Sequence, residues 1–200
     1  MLTDPEQVPT MAVQAILDAT GREVGVELLF RHPPATAAPE MSSEADHEFA
    51  TTTVVDLLHQ MDDTTGWLFV NAPRAFLVGE QPLPEADGRI VVEVLEGVEA
   101  DPEVVAGVRE LLARGYKIAV DDWEGGGDRA ALMVHADFVK IDLEDLTAAR
   151  LPDVVQQARA LRPGITVVVE RIETADDLQV AVDAGADLFQ GFLLATPDLV

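Results

Sequence analysis

The sequence predicts an α/β fold, a shortened β/α barrel of the TIM type. Apolar, β-branched segments alternate with helical segments along the chain, an order typical of a parallel sheet with right-handed crossovers. Seven of the apolar segments end in a polar side chain, and the active site of such a barrel is assembled at the C-terminal ends of its strands. The 200 residues suffice for one domain but fall short of the roughly 250 in a full eightfold barrel.

The composition limits the classes of ligand. The net charge of −24 argues against nonspecific binding to DNA or to anionic membranes, because both need clustered Lys and Arg. No apolar run approaches the roughly 18 residues that span a bilayer, and the N-terminus is acidic where a signal peptide is basic. A cytoplasmic location is therefore expected. The absence of Cys excludes disulfides, thiolate zinc sites and cysteine nucleophiles.

The chain begins with a predicted leader over residues 1–10, followed by a single barrel domain over residues 11–200. Two strands are predicted first, at Ala12–Leu17 and Glu23–Phe30. Gly21 between them suits the positive φ of a hairpin loop. We therefore expect the first strand to pair antiparallel with the second.

A loop and a helix separate this hairpin from the repeating part of the chain. Three prolines within residues 33–43 indicate the loop, and the spacing of apolar residues predicts a helix over Ser43–Met61. A strand at Trp67–Val70, a short helix or turn at Pro73–Leu77 and a strand at Ile90–Val94 follow.

Capping signals define the next helix. Asp101 suits the N-cap, Pro102 the first helical position and Glu103 the first turn, and Gly115 suits the end of the helix. The glycine run at Gly125–Gly127 lacks the Gly-Lys-Ser/Thr ending of a phosphate-binding loop, so it is predicted to be a flexible linker.

The second half of the chain continues the alternation of strand and helix. Thr174 and Asp177 have the spacing of a capping box. The predicted elements are a strand at Lys117–Val120, a short helix over 128–134, a strand at Phe138–Ile141, a helix at Leu151–Leu161, a strand at Thr166–Val169, a helix over 174–185 and a strand at Leu188–Phe189.

The residues at the strand ends predict a metal site. Glu27, Asn71, Glu93 and Asp121 follow apolar strands, where their polar groups have no use in packing. Oxygen ligands of this kind suit Mg²⁺ or Mn²⁺. Each residue alone is also consistent with a solvated strand end. Together they would repel one another without a cation, and with Lys140 they indicate a divalent-metal site for a phosphorylated substrate.

Eight short motifs carry a resemblance to a known family. In chain order they are Gln14-Ala-Ile-Leu-Asp18, Glu27-Leu-Leu-Phe-Arg31, Val70-Asn71, Glu93-Val-Leu-Glu96, Asp121-Asp122-Trp123, Lys140-Ile-Asp142, Glu170-Arg-Ile-Glu173-Thr174 and Gln190-Gly-Phe192, with Pro197 downstream. They resemble the Q-P-I, E-A-L-x-R, V-N, E-x-T-E, D-D-F, K-I-D, E-G-V-E-T and Q-G-Y…P motifs of the EAL domain, the cyclic di-GMP phosphodiesterase module of bacterial signalling. The resemblance implies an EAL-type barrel, Mg²⁺ or Mn²⁺ as cofactor, and cyclic di-GMP as ligand.

Two departures from the EAL pattern affect the expected activity. Glu124–Arg129 replaces the glycine-aromatic-serine loop that follows D-D-F, and the stretch between Glu27 and Asn71 is short. Both features resemble the shortened, divergent EAL modules that accompany HDOD domains and are often regarded as non-catalytic. We therefore expect slow or absent hydrolysis.

The resemblance implies roles for the matching residues. Glu170 is the candidate general base, and Lys140 is the cation that neutralises developing phosphate charge. The alternative for Lys140 is an ion pair with Asp142 or Glu170. Asp122 would join the metal ligands and bridge to a second cation, unless it is solvated in the loop. The other candidates are the ligand-binding residues Gln14, Arg31, Asp142 and Gln190, and the supporting residues Glu96 and Glu173.

Three functions remain open from the sequence. The first is metal-dependent opening of cyclic di-GMP to the linear dinucleotide. The second is a catalytically inactive EAL-like module that binds the dinucleotide, or acts only through a protein partner or a homodimer. The third is a Schiff-base aldolase using Lys140, and it ranks last. Such chemistry needs a lysine of lowered pKa, whereas the surrounding carboxylates would raise the pKa of Lys140.

Overall fold

The computed structural model describes residues 10–31, 66–144 and 146–199. The predicted loop over 33–43 and the predicted helix over Ser43–Met61 lie outside these residues. The described strands are β1 (Thr10–Asp18), β2 (Glu23–Arg31), β3 (Trp67–Ala72), β4 (Ile90–Val94), β5 (Lys117–Val120), β6 (Phe138–Asp142), β7 (Thr166–Glu170), β8 (Leu188–Phe189) and β9 (Asp198–Leu199). The described helices are α1 (Arg74–Leu77), α2 (Pro102–Ala113), α3 (Ala130–Met133), α4 (Leu151–Leu161) and α5 (Ala175–Asp183).

The strands form a closed barrel. Strands β2 to β8 pair in chain order, each parallel to the next. Strand β1 pairs antiparallel with β2 on one edge and with β8 on the other, which closes the ring. The predicted barrel and its antiparallel first strand are therefore confirmed. The short strand β9, which the sequence did not predict, pairs with β1 at Ala12 and Val13.

The hairpin between β1 and β2 is closed as its sequence predicts. Gly21 adopts a φ of +79° and donates its amide hydrogen to the Asp18 carbonyl over 2.9 Å. The register places Gln14 opposite Glu27, so these two polar side chains share one face of the strand pair.

The helices cover the outside of the barrel. Asp101 accepts hydrogen bonds from the amides of Glu103 and Val104, which caps α2, and Thr174 and Asp177 form the capping box of α5. Apolar residues between these helices and the strands form the larger core. Within the described part of the chain, none of the helices is long and apolar enough to cross a membrane.

A smaller apolar layer fills the interior of the barrel. Phe138 contacts Trp67 and Phe69 edge to face, with ring centroids 4.9 Å and 5.1 Å apart. Seven strands contribute the buried members of this layer, which are Ile16, Phe69, Val91, Ala119, Phe138, Val168 and Leu188. Because alternate residues of a strand point to the same side, the residue two positions nearer the mouth also faces the interior.

Candidate active site

A polar layer lies directly above the apolar layer, at the C-terminal mouth of the barrel. Six members follow an apolar interior residue by two positions, as Lys140 follows Phe138 and Glu170 follows Val168, whereas Glu27 follows Gly25. On the antiparallel strand β1 the direction reverses, so Gln14 precedes Ile16. The layer consists of Gln14, Glu27, Asn71, Glu93, Asp121, Lys140, Glu170 and Gln190. All eight were predicted site residues, and the strand periodicity explains why the barrel brings them together.

Lys140 lies at the centre of this layer. Its Nζ is 2.9 Å from Glu93 Oε2, 2.9 Å from Glu170 Oε1 and 3.3 Å from Glu27 Oε2, and the Asp121 carboxylate is 3.6 Å away. Lys140 is only 1% exposed, and Glu93 is fully buried. One ammonium group therefore serves as the shared counter-ion of four carboxylates from four different strands.

The charges of this cluster do not balance. Burial opposes the charged form of Lys140, but Asp121, Glu170, Glu27 and Glu93 outweigh burial and raise the pKa of the ammonium well above normal. Burial also raises the pKa of Glu93 and of Glu170, and neighbouring carboxylates add to the rise. Lys140 therefore stays protonated, whereas two of the acids favour a proton or a further cation.

Amide side chains bridge the cluster on the β1 side. Gln190 donates from Nε2 to Glu27 Oε2 over 2.8 Å and to Gln14 Oε1 over 3.2 Å. Asn71 donates to the other oxygen of Glu27 over 3.4 Å, and Gln14 donates to the Ala195 carbonyl over 3.3 Å. These bonds fix both oxygens of Glu27, so the amides orient a carboxylate of the central cluster.

A second acidic group adjoins the first at Asp121. Oxygens of Glu96, Asp121 and Asp122 lie within 4.8 Å of one another. Asp122 adopts a φ of +44°, which turns its side chain away from the strand alternation. Burial, reinforced by Asp121 and Glu96, raises its pKa to about 7. Asp122 is thus a partly buried member of an acidic cluster, and its role as a metal ligand stays a prediction.

Arg129 holds the loop beside this second cluster, and sequence reasoning missed it. Its guanidinium donates to the Asp121 carbonyl over 2.6 Å and to the carbonyls of Val94 and Leu95 over 2.6 Å and 3.1 Å. Three consecutive glycines, Gly125–Gly127, have positive φ and bring the chain back to reach this position. The sequence did contain a signal for Arg129, because this residue belongs to the Glu124–Arg129 segment that departs from the EAL pattern.

The outer rim of the mouth contains Asp142, Glu173 and an unforeseen arginine. Of the two ion-pair partners proposed for Lys140, Glu170 forms the pair and Asp142 does not. The Asp142 carboxylate lies 2.6 Å from Arg171 Nε instead, because Asp142 is two positions beyond Lys140 at the end of β6. Glu173 lines a cavity of about 350 Å³ together with Gln14, Glu27, Glu170 and Gln190. The side chain of Arg31 lies outside the described residues.

The polar layer suits a hard divalent cation. Glu93 Oε1 is buried and has no hydrogen-bond partner among the described residues, so the cluster contains an oxygen that still lacks a donor or cation. The donors are carboxylates and an amide, the ligand types that Mg²⁺ and Mn²⁺ prefer. A cation bound here would also offset the charge that Lys140 leaves unbalanced.

Comparison with known proteins agrees with the motifs. The model of the EAL domain family matches residues 11–197. The chain belongs to the EAL domain family. Cyclic di-GMP phosphodiesterase CdgJ of Vibrio cholerae serotype O1 is 29% identical over 192 residues, which are 95% of this chain and 44% of the relative. The YuxH protein of Bacillus subtilis strain 168 is 26% identical over 200 residues, covering 95% of this chain and 47% of the relative. The chain thus spans about half the length of these relatives.

Solved structures share the barrel. Klebsiella pneumoniae BlrP1, in a manganese and cyclic di-GMP complex at pH 9.0, matches with a TM-score of 0.74 and 26% identity, over 98% of this chain and 57% of that protein. An EAL domain protein of Listeria monocytogenes EGD-e matches with a TM-score of 0.71 and 18% identity, over 98% of this chain and 94% of that protein. The second likeness concerns the fold alone.

Proposed function

We propose that this EAL domain binds cyclic di-GMP with Mg²⁺ or Mn²⁺ at the mouth of the barrel and hydrolyses it slowly to the linear dinucleotide. The observation that carries the proposal is the central cluster, in which four carboxylates share the single ammonium of Lys140. Such an excess of oxygen ligands fits a divalent cation, and a bound cation lets an anionic ligand approach an acidic mouth. The names of CdgJ and of the BlrP1 complex indicate the same ligand.

The metal ligands in this proposal are Glu27, Asn71, Glu93 and Asp121, with Asp122 beside them. A bound cation would supply Lewis-acid polarisation of the phosphate and a lower pKa for a bound water. The hydrogen bonds that the amide side chains of Asn71 and Gln190 donate to Glu27 hold that carboxylate in one orientation. The residues therefore provide a largely preorganised ligand set, which reduces the cost of binding.

Glu170 is the proposed general base. Its Oε1 accepts from Lys140 over 2.9 Å, which leaves Oε2 to accept a proton from the attacking water. Lys140 holds Glu170 in place and offsets its negative charge, and it would also stabilise the charge that develops on the phosphate. The raised pKa of Glu170 makes it a better proton acceptor at neutral pH than an ordinary carboxylate, once it is ionised.

A second candidate function is binding of cyclic di-GMP without turnover, or interaction with a protein partner or a second copy. Arg129 favours it, because the guanidinium lies beside Asp121 and its charge interacts with Asp121, Glu96 and Asp122. A permanent cation at this position competes with a second metal ion, and two-metal sites rely on both ions to hold the attacking and leaving oxygens. The partner, the homodimer and the cytoplasmic location remain predictions.

Chromatography of reaction products tests turnover. The protein is incubated with Mn²⁺ and cyclic di-GMP, and the linear dinucleotide is quantified over time. We expect slow conversion that Glu170→Gln abolishes, whereas Glu110→Gln on the exposed face of α2 leaves the rate unchanged. Binding of the dinucleotide without conversion would support the second function. Neither conversion nor binding would refute both cyclic di-GMP functions and leave an interaction module.

A further inference from the structure

Arg171 follows the candidate base Glu170 directly and has an unusual backbone. Its φ is +54°, in the left-handed region that residues with a Cβ seldom adopt. Non-glycine residues persist in this region only where the surroundings hold them, and such positions concentrate at functional sites. The E-G-V-E-T motif that this segment resembles has glycine at the same place, which would adopt the conformation without strain. The arginine side chain is therefore the feature to explain.

Two acids fix the Arg171 guanidinium at the rim of the mouth. Nε lies 2.6 Å from Asp142 Oδ2, and Nη1 pairs with Glu144. Asp142 is buried, but the Arg171 side chain is 61% exposed. These acids pair with Nε and Nη1, which lie on different edges of the planar guanidinium, and Nη2 between them can donate to a further acceptor. Arg171 is thus oriented by its partners without being enclosed by them.

Arg171 lines a cavity in which the other described residues carry no positive charge. The cavity has a volume of about 350 Å³, and three of its lining residues are the carboxylates Glu27, Glu170 and Glu173. Arg171 is the only Lys or Arg among the described residues that line it. A phosphate entering this space would meet repulsion from the acids, and Arg171 is the side chain that can offset that repulsion by a direct contact.

We infer that Arg171 binds a phosphate oxygen of the nucleotide in this cavity and so determines the affinity of the domain for phosphodiester ligands. This inference rests on the proposed function, because it names a further contact for the same ligand. Arginine suits the role better than lysine, since its planar fork can hold the acids and a phosphate at once.

Equilibrium binding of cyclic di-GMP in the presence of Ca²⁺ tests the inference, with chromatography to show that the ligand is recovered intact. We expect Arg171→Gly to raise the Kd about tenfold or more, since one charge-assisted phosphate contact is lost. Arg171→Lys should give a smaller loss, because it keeps the charge but not the fork. The control is Arg22→Gly, which removes the same charge from an exposed residue at the opposite end of the barrel and should leave the Kd unchanged.

Separate readouts distinguish the possible failures. A Mn²⁺ titration without nucleotide should be no weaker in Arg171→Gly than in the original protein, since Arg171 is not among the proposed metal ligands. Weaker Mn²⁺ binding would show that Arg171 acts through the fold, and it would overturn the inference. If the Arg171 variants bind the dinucleotide with the same Kd as the unsubstituted protein, the inference is overturned but the proposed function is not. No dinucleotide binding by the unsubstituted protein would overturn the proposed function as well. If Arg171→Gly does not fold, the Kd of Arg171→Lys for the dinucleotide decides. A Kd equal to that of the unsubstituted protein would then overturn the inference.

Discussion

Substitution of Lys140 by methionine tests whether the central cluster depends on one ammonium group. Methionine keeps a long apolar stem but removes the charge that four carboxylates share within 3.6 Å. Removing one partner of a buried ion pair typically costs about 3–5 kcal/mol of the free energy of unfolding. Lys140 is 1% exposed and has several partners, so we expect a loss near the upper end, about 4–5 kcal/mol at about pH 8.

The loss should depend on pH in a definite direction. Burial raises the pKa of Glu93 and of Glu170, so the folded protein binds more protons than the unfolded chain above the ordinary pKa of these acids. Stability then falls as the pH rises from the unfolded pKa through the raised folded pKa. Without the ammonium the folded pKa values rise further. The free energy of unfolding of the variant should therefore differ less from that of the original protein at about pH 5.5 than at about pH 8.

Urea unfolding followed by tryptophan fluorescence measures both effects. Lys117→Met is the matched control, because Lys117 is the only other lysine and its pair with Asp137 is 42% exposed on the lysine side. An exposed pair of this kind contributes about 0–1 kcal/mol. Added Mn²⁺ should restore part of the stability lost in Lys140→Met, since a bound cation favours the folded state. A Lys140→Met protein within about 1 kcal/mol of the original at about pH 8 would refute the reasoning.

Two further predictions concern the metal ligands and the packing of α2. Asp121→Asn should abolish Mn²⁺ binding in calorimetric titration, because it removes a carboxylate common to both acidic clusters, and an unchanged isotherm would place the ion elsewhere. Gly107→Ala should lower the free energy of unfolding by about 1–3 kcal/mol, because the added Cβ would lie 2.0 Å from the Leu77 carbonyl oxygen. Gly97→Ala, where the Cβ meets open space, should stay within about 0.5 kcal/mol, and equal losses in the two variants would contradict the packing argument.

The fold was predictable because local signals and long-range pattern agree. The Asp101 cap, the Thr174 capping box and the Gly21 turn all appear where the sequence placed them. Strand ends were less exact, since β1 extends to Thr10 and Asp18 through pairing with other strands. The short strand β9 pairs with a part of β1 that β8 does not reach, which is a tertiary property with no local pattern.

The inner site was predictable for the same reason, whereas the loop conformations beyond the strands, with Arg129 and Arg171, were not. Lys140 and Glu170 stand in register with apolar interior residues, so the period of two carries them into the mouth. Beyond the strand ends that period stops. Asp122 and Arg171 have positive φ, and Arg129 returns through three glycines, so their directions depend on loop geometry that apolar patterns do not encode.

The charge distribution separates the part of the barrel that stabilises the fold from the part that binds ligands. The interior layer around Phe138 and the outer core are apolar and closely packed, which stabilises the fold. The layer above them concentrates carboxylates whose mutual repulsion one ammonium only partly offsets. Protons, a divalent cation or a cationic rim residue can supply the missing charge. Proton uptake, metal binding and stability should therefore be linked in this domain. Without a counter-charge the carboxylates of the site repel one another, so binding of a cation relieves that repulsion.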